Sequence, residues 1–192
     1  MSSIMIRSFI SVDLESSILD KILVFQRHLV DTGAHLKIVD SKNIHITLKF
    51  LANNPPSLVN RIGEELQSIQ FEPFEVTVQG TGVFPNRRYI KVVWVGIEKG
   101  VADLINIHKQ IESKLTAFGL SSTSQDFRPH ITIARTKSAK NKNKLAEAIF
   151  NIQDKEFGTF NVSSIKLKRS NLTPKGPIYE TLAEISAKKS FS

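Results

Sequence analysis

The triplet His-Ile-Thr occurs twice in this chain, and both copies lie in runs that alternate as β-strands do. The first copy places His45 two residues before Thr47, and the second places His130 two residues before Thr132. Side chains alternate faces along a strand, so each histidine shares a face with its threonine while the isoleucine points to the opposite face. Each copy therefore predicts an isoleucine in the core and an imidazole with a hydroxyl on the other side.

Two such pairs in one cleft would suit displacement at phosphorus. One group takes a proton from the attacking nucleophile and a second gives a proton to the leaving oxygen. Histidine suits both roles because its ordinary pKa is about 6.5. Threonine hydroxyls could stabilise the negative charge that builds on the phosphate oxygens. A single copy would more often be a structural strand histidine, and the repetition is what favours chemistry. A metal site is disfavoured because two histidines lack the third ligand that zinc usually has.

The motif pair resembles the signature of the two-histidine phosphoesterases, and specifically of the RNA 2′,3′-cyclic phosphodiesterase family, also called the 2′-5′ RNA ligase family. Further segments resemble that family along nearly the whole chain: residues 7–10, 43–51, 82–85, 93–96, 127–135 and 176–180. One departure lies after the first motif. Residues 51–54 read Leu-Ala-Asn-Asn where the family more often has Leu-Gly followed by an acid.

The resemblance implies metal-independent hydrolysis of a nucleoside 2′,3′-cyclic phosphate at an RNA end to a 2′-phosphate, with no cofactor. It implies that His45 donates the proton to the leaving 3′ oxygen and that His130 activates water. Thr47 and Thr132 would bind the phosphate. The residues alone do not decide which histidine is the acid. Reverse 2′-5′ ligation of RNA is also implied. Two alternatives stay open: a non-catalytic module that binds RNA ends or nucleotides, and a phosphodiesterase for another small cyclic nucleotide.

Four further residues are candidate substrate contacts. Strand alternation puts Lys49 on the face of His45, where it could assist the phosphate or remain a solvated lysine. Alternation puts Arg135 on the face opposite His130, unless a bulge returns it to the cleft. Phe84 and Tyr89 flank a predicted turn and could stack a base. Trp94 lies in a strongly apolar run and is predicted to be core.

Composition restricts the class of protein. The chain has 192 residues, of which 41% are hydrophobic, which is enough to bury a core. A net charge of +8 favours polyanionic partners such as RNA. The absence of cysteine excludes disulfides and thiol nucleophiles. No run could span a bilayer and no signal peptide opens the chain. We therefore expect a cytoplasmic, monomeric enzyme without membrane contact or an obligate protein partner.

The elements that position these residues alternate between strands and helices, which predicts an α+β fold. Helical spacing of apolar residues predicts four helices, around residues 18–29, 58–69, 101–118 and 145–149. Strands are predicted at residues 4–12, 36–39, 43–51, 74–78, 89–97, 127–135, 159–169 and 178–185. The two motifs stand about half the chain apart. We therefore expect residues 1–192 to form one bilobal domain, with an antiparallel-rich sheet and flanking helices in each lobe and the active-site cleft between them.

Overall fold

The structure is a computed structural model that describes residues 5–120, 127–174 and 176–188. Its described elements, in chain order, are β1 (Ile6–Asp13), α1 (Ser16–Asp31), β2 (Leu36–Ile38), β3 (His45–Asn54), α2 (Pro56–Leu66), β4 (Phe74–Asn86), β5 (Tyr89–Lys99), α3 (Val101–Thr116), β6 (His130–Thr136), α4 (Lys142–Phe150), β7 (Glu156–Val162), β8 (Ser164–Thr173) and β9 (Gly176–Ser186). A short 3₁₀ turn, Ser41–Asn43, precedes β3. The predicted α+β class is confirmed.

All described strand pairs are antiparallel, and together they make one strongly curled nine-stranded sheet. The strand order is β7-β4-β5-β6-β3-β1-β8-β9, with β2 also paired to β6. The two motif strands, β6 and β3, are neighbours at the centre of this order. They meet through one residue pair, Ile46 with Ile131. Four strands of this order therefore lie on each side of the junction, and each side contributes one motif.

The core fills one face of the sheet, where the four helices pack. The apolar stripe of α1 buries Ile18, Ile22, Phe25 and Leu29, as its spacing predicts. Helix α1 packs against β6, β7 and α4, while α3 packs against β3, β5 and α2. Both isoleucines of the central pair are fully buried on this face. Because side chains alternate across a strand, the neighbours of these isoleucines point to the face that carries no helix core.

Three strand predictions need correction. The segment predicted as one strand at 159–169 is two strands, because its first half pairs with β4 and its second half with β1. The apolar alternation runs through both, so it hides the break. Strand β4 continues past the glycines that follow its predicted end, with an irregularity between Val78 and Thr81. Strand β5 is buried mainly on one face instead of two, because its other face lies on the side of the sheet that carries the motif side chains and no helices.

The predicted loop 121–126 and the last residues, 189–192, lie outside the described residues. Within the described ranges, no helix combines the length and the apolar character needed to cross a membrane.

Candidate active site

The four motif side chains share one face of the central strand pair. In an antiparallel pair, residues directly opposite each other point to the same side of the sheet. The pairing of Ile46 with Ile131 therefore sets His45 beside Thr132 and Thr47 beside His130, all on the face away from the helices. The two histidines are a diagonal pair, which sets their backbones about 7–8 Å apart. The two imidazoles are therefore neighbours on the same part of the sheet face.

His45 is held in one tautomer by its two hydrogen bonds. Its Nδ1–H donates to the backbone carbonyl of Asn43 at 2.8 Å. Nε2 is then the nitrogen with a free lone pair, and the Thr47 hydroxyl, 2.9 Å away, donates to it. The carbonyl of Asn43 can only accept, so this assignment follows from the donor inventory. Nε2 is thus the atom of His45 that is available to exchange a proton.

His130 repeats the arrangement. Its Nδ1–H donates to the backbone carbonyl of Arg128, two residues earlier, at 2.8 Å. The carbonyl acceptor again fixes Nδ1 as the donor and leaves Nε2 as the proton-exchanging nitrogen. Each motif therefore uses the same local device: a carbonyl at the second residue before the histidine orients the ring.

The electrostatics of His45 favour a neutral ring in the free protein. Burial lowers its pKa from 6.5 to about 4, although the bond to the Asn43 carbonyl acts to raise it. Lys168 lowers the pKa of His45 further, and Asp13 opposes Lys168. Desolvation disfavours the charged imidazolium, which is why burial has this sign. At neutral pH the His45 ring is consequently neutral, with Nε2 unprotonated.

Asp13 and two lysines form a charged cluster beside His45 that sequence reasoning missed. Asp13 is the β1 partner of His45. It is bound by the ammonium groups of Lys166, at 3.0 Å, and Lys168. Burial raises the pKa of Asp13, but the hydrogen bonds from Lys168 and Lys166 outweigh it and the pKa lies below its usual value. Alternation along β1 could have flagged Asp13, whereas the lysines come from a strand that is distant in sequence.

Aromatic rings pack against both histidines. Phe9 stacks on His45 with the ring centroids 4.9 Å apart, and Tyr179 meets His45 edge-on at 5.5 Å. Phe84 meets the His130 ring edge-on at 5.0 Å, which places this predicted contact residue at the site. Tyr179 was missed, because the β8–β9 hairpin reaches His45 only through the fold. The 3₁₀ turn before β3 is tied to the same hairpin, as the side-chain amide of Asn43 donates to the backbone carbonyl of Pro177 at 2.9 Å.

Trp94 is not a core residue, contrary to its prediction. It pairs with Thr132 across β5 and β6, so it shares the face of the motif side chains. It is half-buried, and its ring lies 5.4 Å from that of Phe84. A Cβ on Gly82 would come within 2.2 Å of the Trp94 ring, so only glycine leaves space for the indole there.

Arg135 lies on the motif face, although simple alternation predicts the opposite face. Thr132 pairs with Trp94 and Arg135 pairs with Val92, so one extra residue, Ile133, sits between them on β6. Such a bulge reverses the alternation. Arg135 is exposed, and its charge acts on the half-buried phenol of Tyr179 to lower a pKa that burial raises. The bulge on which the prediction for Arg135 depends is therefore present in β6, and contact of Arg135 with RNA or phosphate stays a prediction.

Lys49 lies on the wrong side for phosphate contact, so this prediction is corrected. Thr47 pairs with Ser11 of β1, and Lys49 pairs with the next residue of β1, the fully buried Ile10. Leu48 is therefore an extra residue of β3 without a partner on β1. This bulge turns Lys49 towards the helix face. Its ammonium group binds Glu112 of α3 at 2.6 Å, and the Lys49 side chain is only 10% exposed.

Tyr89 lies at the start of β5 and is 60% exposed, with the Lys91 ammonium 5.1 Å from its ring. Among the residues that the structure describes, no group of three or more His, Cys, Asp or Glu side chains could hold a metal ion.

Comparison with known proteins agrees with this geometry. The model of the 2′-5′ RNA ligase superfamily matches residues 34–173. A protein of Aeropyrum pernix named RNA 2′,3′-cyclic phosphodiesterase is 42% identical over 162 residues, which cover 84% of this chain and 92% of that protein. One of the same name from Methanothermobacter thermautotrophicus is 38% identical over 176 residues, covering 91% and 95%. The crystal structure of a Thermus thermophilus protein, TT0787, superposes with a TM-score of 0.78 at 25% identity, covering 96% of this chain and 99% of that one.

The architecture and the paired motifs define a phosphoesterase-like fold shared with these proteins. The chain belongs to the 2′-5′ RNA ligase superfamily, as the motif pair predicts.

Proposed function

We propose that this chain is an RNA 2′,3′-cyclic phosphodiesterase that hydrolyses the terminal cyclic phosphate of an RNA to a 2′-phosphate. The observation that carries the proposal is the placement of the His45 and His130 rings on one face of the central strand pair, each with Nδ1 bound to a carbonyl. The names of the relatives supply the substrate class.

The reaction is a displacement at phosphorus. A water molecule gives one proton to Nε2 of His130 and its oxygen attacks phosphorus. The bond from phosphorus to the 3′ oxygen breaks, and Nε2 of His45 gives a proton to that oxygen. The products are a 2′-phosphate and a free 3′ hydroxyl. The hydroxyls of Thr47 and Thr132 donate to the phosphate oxygens, where negative charge builds. No metal ion or cofactor takes part in this scheme.

His45 must gain a proton before it can act as the acid, because its pKa is about 4 in the free protein. The phosphate of the substrate supplies the cause, since a negative charge close to Nε2 favours the imidazolium. Thr47, which donates to Nε2 in the free protein, is then released to donate to the phosphate.

The same pair joins two RNA ends when the 5′ hydroxyl of a second RNA attacks phosphorus in place of water: this hydroxyl gives its proton to His130, the 3′ oxygen leaves with a proton from His45, and a 2′-5′ bond forms. In this proposal residues 1–192 act as a single monomeric two-lobed unit with the cleft over the β3–β6 junction. Arg135 and Phe84 contact the RNA beside the scissile phosphate. The net charge of +8 concentrates RNA at the protein surface.

The test uses an RNA oligonucleotide that ends in 2′,3′-cyclic phosphate, incubated with the protein in excess chelator. We expect a 2′-phosphate product, identified by mass and by its linkage. His45→Ala and His130→Ala should each lower kcat by at least about 100-fold, because general acid and base catalysis each contribute that much. His28→Ala, on the exposed side of α1, is the control and should keep wild-type turnover.

A 3′-phosphate product, or turnover that survives either active-site substitution, would contradict the proposal. Salt separates RNA from small cyclic nucleotides as the substrate. Activity on the oligonucleotide should fall steeply with salt because several phosphates are contacted, whereas activity on a mononucleotide should change little.

A further inference from the structure

The two motif strands are joined to each other by very little of the sheet. Strands β3 and β6 share one residue pair, Ile46 with Ile131, whereas the β1–β3 and β5–β6 ladders on either side of them run over most of each strand. The proposed reaction nevertheless needs His45 and His130 at a fixed separation, because acid and base catalysis depends on close placement of both groups. Contacts outside this one pair are therefore important for the relative position of the two motifs.

Helix α3 supplies such a contact to the first motif strand through His108. The Nδ1–H group of His108 donates to the backbone carbonyl of Leu48 at 2.9 Å, and the carbonyl acceptor fixes Nδ1 as the donor. Leu48 is the bulge residue of β3 that has no partner on β1, and it lies just beyond the pair with β6. His108 thus gives a buried main-chain carbonyl a donor at the point where the strand pairing is interrupted.

The same imidazole packs against the segment that leads into the second motif. The rings of His108 and Phe127 are stacked, with their centroids 4.2 Å apart and their planes at 15°. Phe127 precedes Arg128, whose carbonyl accepts the hydrogen bond that orients the ring of His130. His108 therefore contacts the main chain just after one catalytic motif and a side chain just before the other.

The surroundings of His108 hold its ring in place. The side chain is 15% exposed, and Nε2 lies 3.7 Å from the carboxylate of Glu112, one turn further along α3. That carboxylate also binds the ammonium group of Lys49, the residue after Leu48. Helix α3 therefore contacts two consecutive residues at the bulge of β3, and His108 extends this contact to the segment before the second motif.

We propose that His108 is a positioning residue that holds β3 and β6 together and thereby sets the separation of His45 and His130. This inference rests on the proposed function, because it assigns His108 to the geometry of that reaction. His108 does not touch the substrate in this proposal, since it lies on the helix side of the sheet. A misplacement of about 1 Å can lower a rate about 100-fold, so a small shift of either motif is measurable.

Three variants separate the hydrogen bond from the stacking. His108→Ala removes both contacts and should lower kcat about tenfold, with KM changed less than about twofold, on an RNA that ends in 2′,3′-cyclic phosphate. His108→Asn restores an N–H donor at the position of Nδ1, and His108→Phe restores a ring against Phe127. Each of these two should recover part of the lost kcat. Lys49→Met is the matched control, because it breaks the neighbouring contact of α3 with β3, and it should keep wild-type kcat.

A His108→Ala protein that is less stable in urea but has wild-type kcat would show a purely structural role and overturn the inference. Recovery of kcat by only one of the restoring variants would overturn it too, because His108 would then act on a single motif. A loss that appears in KM instead of kcat would also contradict a role in placing the two histidines.

Amide hydrogen exchange gives a second readout that does not depend on turnover. His108→Ala should speed exchange of the β3 and β6 amides around the Ile46–Ile131 pair by about tenfold, and should leave the ladder around Val76 and Phe160 unchanged. Equal acceleration in both ladders, or none at the motif strands, would overturn the inference. If the wild type hydrolyses no cyclic phosphate, the proposed function fails, and hydrogen exchange alone then decides whether His108 holds the two strands.

Discussion

At the scale of single residues, the decisive feature is that a carbonyl fixes the tautomer of each histidine. Both rings donate from Nδ1 to the carbonyl of the second preceding residue. The histidine and threonine pattern could be read from the sequence. The tautomers and the buried environment of His45 could not, because they depend on main-chain geometry and on rings contributed by β1 and β9.

The pKa of His45 should respond to a bound anion. In the free protein His45 should titrate at about pH 4, because burial disfavours the imidazolium. Saturation with adenosine 2′-phosphate should raise that pKa, since the proposed mechanism places the phosphate charge against Nε2. Imidazole ¹⁵N chemical shifts measure both values. The resonances of exposed His28 should not move on ligand addition. A His45 titration that is identical with and without ligand would contradict the assignment of His45 as the acid.

The two threonines should act in the transition state more than in binding. Thr47→Val and Thr132→Val keep the side-chain shape but remove the hydroxyl that, in the proposed mechanism, donates to the phosphate oxygens, so kcat should fall about 100-fold with little change in KM. Steady-state kinetics on the oligonucleotide measure this split. Thr77→Val, which removes an exposed hydroxyl pair with Thr159 between β4 and β7, should leave both constants unchanged. Wild-type kcat in either motif variant would remove that threonine from the mechanism.

At the scale of elements, the two bulges explain which side-chain predictions failed. Alternation predicts faces correctly from each histidine to its threonine. It then fails one residue later, at Leu48 and at Ile133, because each strand accommodates an extra residue against its partner. The apolar pattern gives no sign of a bulge, since the extra residue is itself buried. Lys49 therefore leaves the cleft and Arg135 enters it.

The new position of Lys49 predicts a role in stability. Its pair with Glu112 is largely buried, and removing one partner of such a pair costs about 3 kcal/mol. Lys49→Met should therefore lower the free energy of unfolding by about that amount in urea titrations while turnover remains close to wild type. Lys114→Met breaks the more exposed pair with Glu65 and should cost less than about 1 kcal/mol. A Lys49→Met protein of normal stability and greatly reduced turnover would return Lys49 to the site.

At the scale of the whole molecule, the fold class and the motif strands could be predicted from the sequence, but the strand order could not. The motif strands are far apart in sequence, and only the folded sheet makes β3 and β6 neighbours. A second long-range pairing, of β8 with β1, brings Lys168 and Tyr179 to His45 from the last hairpin. Local periodicity carries no information about such contacts, because it reports which face is buried and not which strand lies beside it.

The burial of His45 makes the stability of the protein depend on pH. Its pKa is about 4 when folded and 6.5 when unfolded, so between these values the unfolded chain binds more protons. The contribution of His45 is thus fully present above pH 6.5 and is lost as pH falls towards 4, amounting to about 3 kcal/mol. The pKa of Asp13 is lowered in the folded protein, so the stability that Asp13 contributes is also lost as pH falls. This loss begins only below 3.8, the ordinary pKa of an aspartate.

Urea unfolding of the wild type and of His45→Gln at pH 7, 5.5 and 4 tests this dependence. Glutamine does not titrate, so the variant should lose about 3 kcal/mol less than the wild type between pH 7 and 4. The free energy of unfolding of the wild type, relative to that of His45→Gln, should therefore fall by about 3 kcal/mol from pH 7 to pH 4. Parallel stability curves for the two proteins would mean that His45 has the same pKa in the folded and unfolded states, and would contradict this prediction. The prediction rests on the buried position of the His45 ring beside Phe9 and Tyr179.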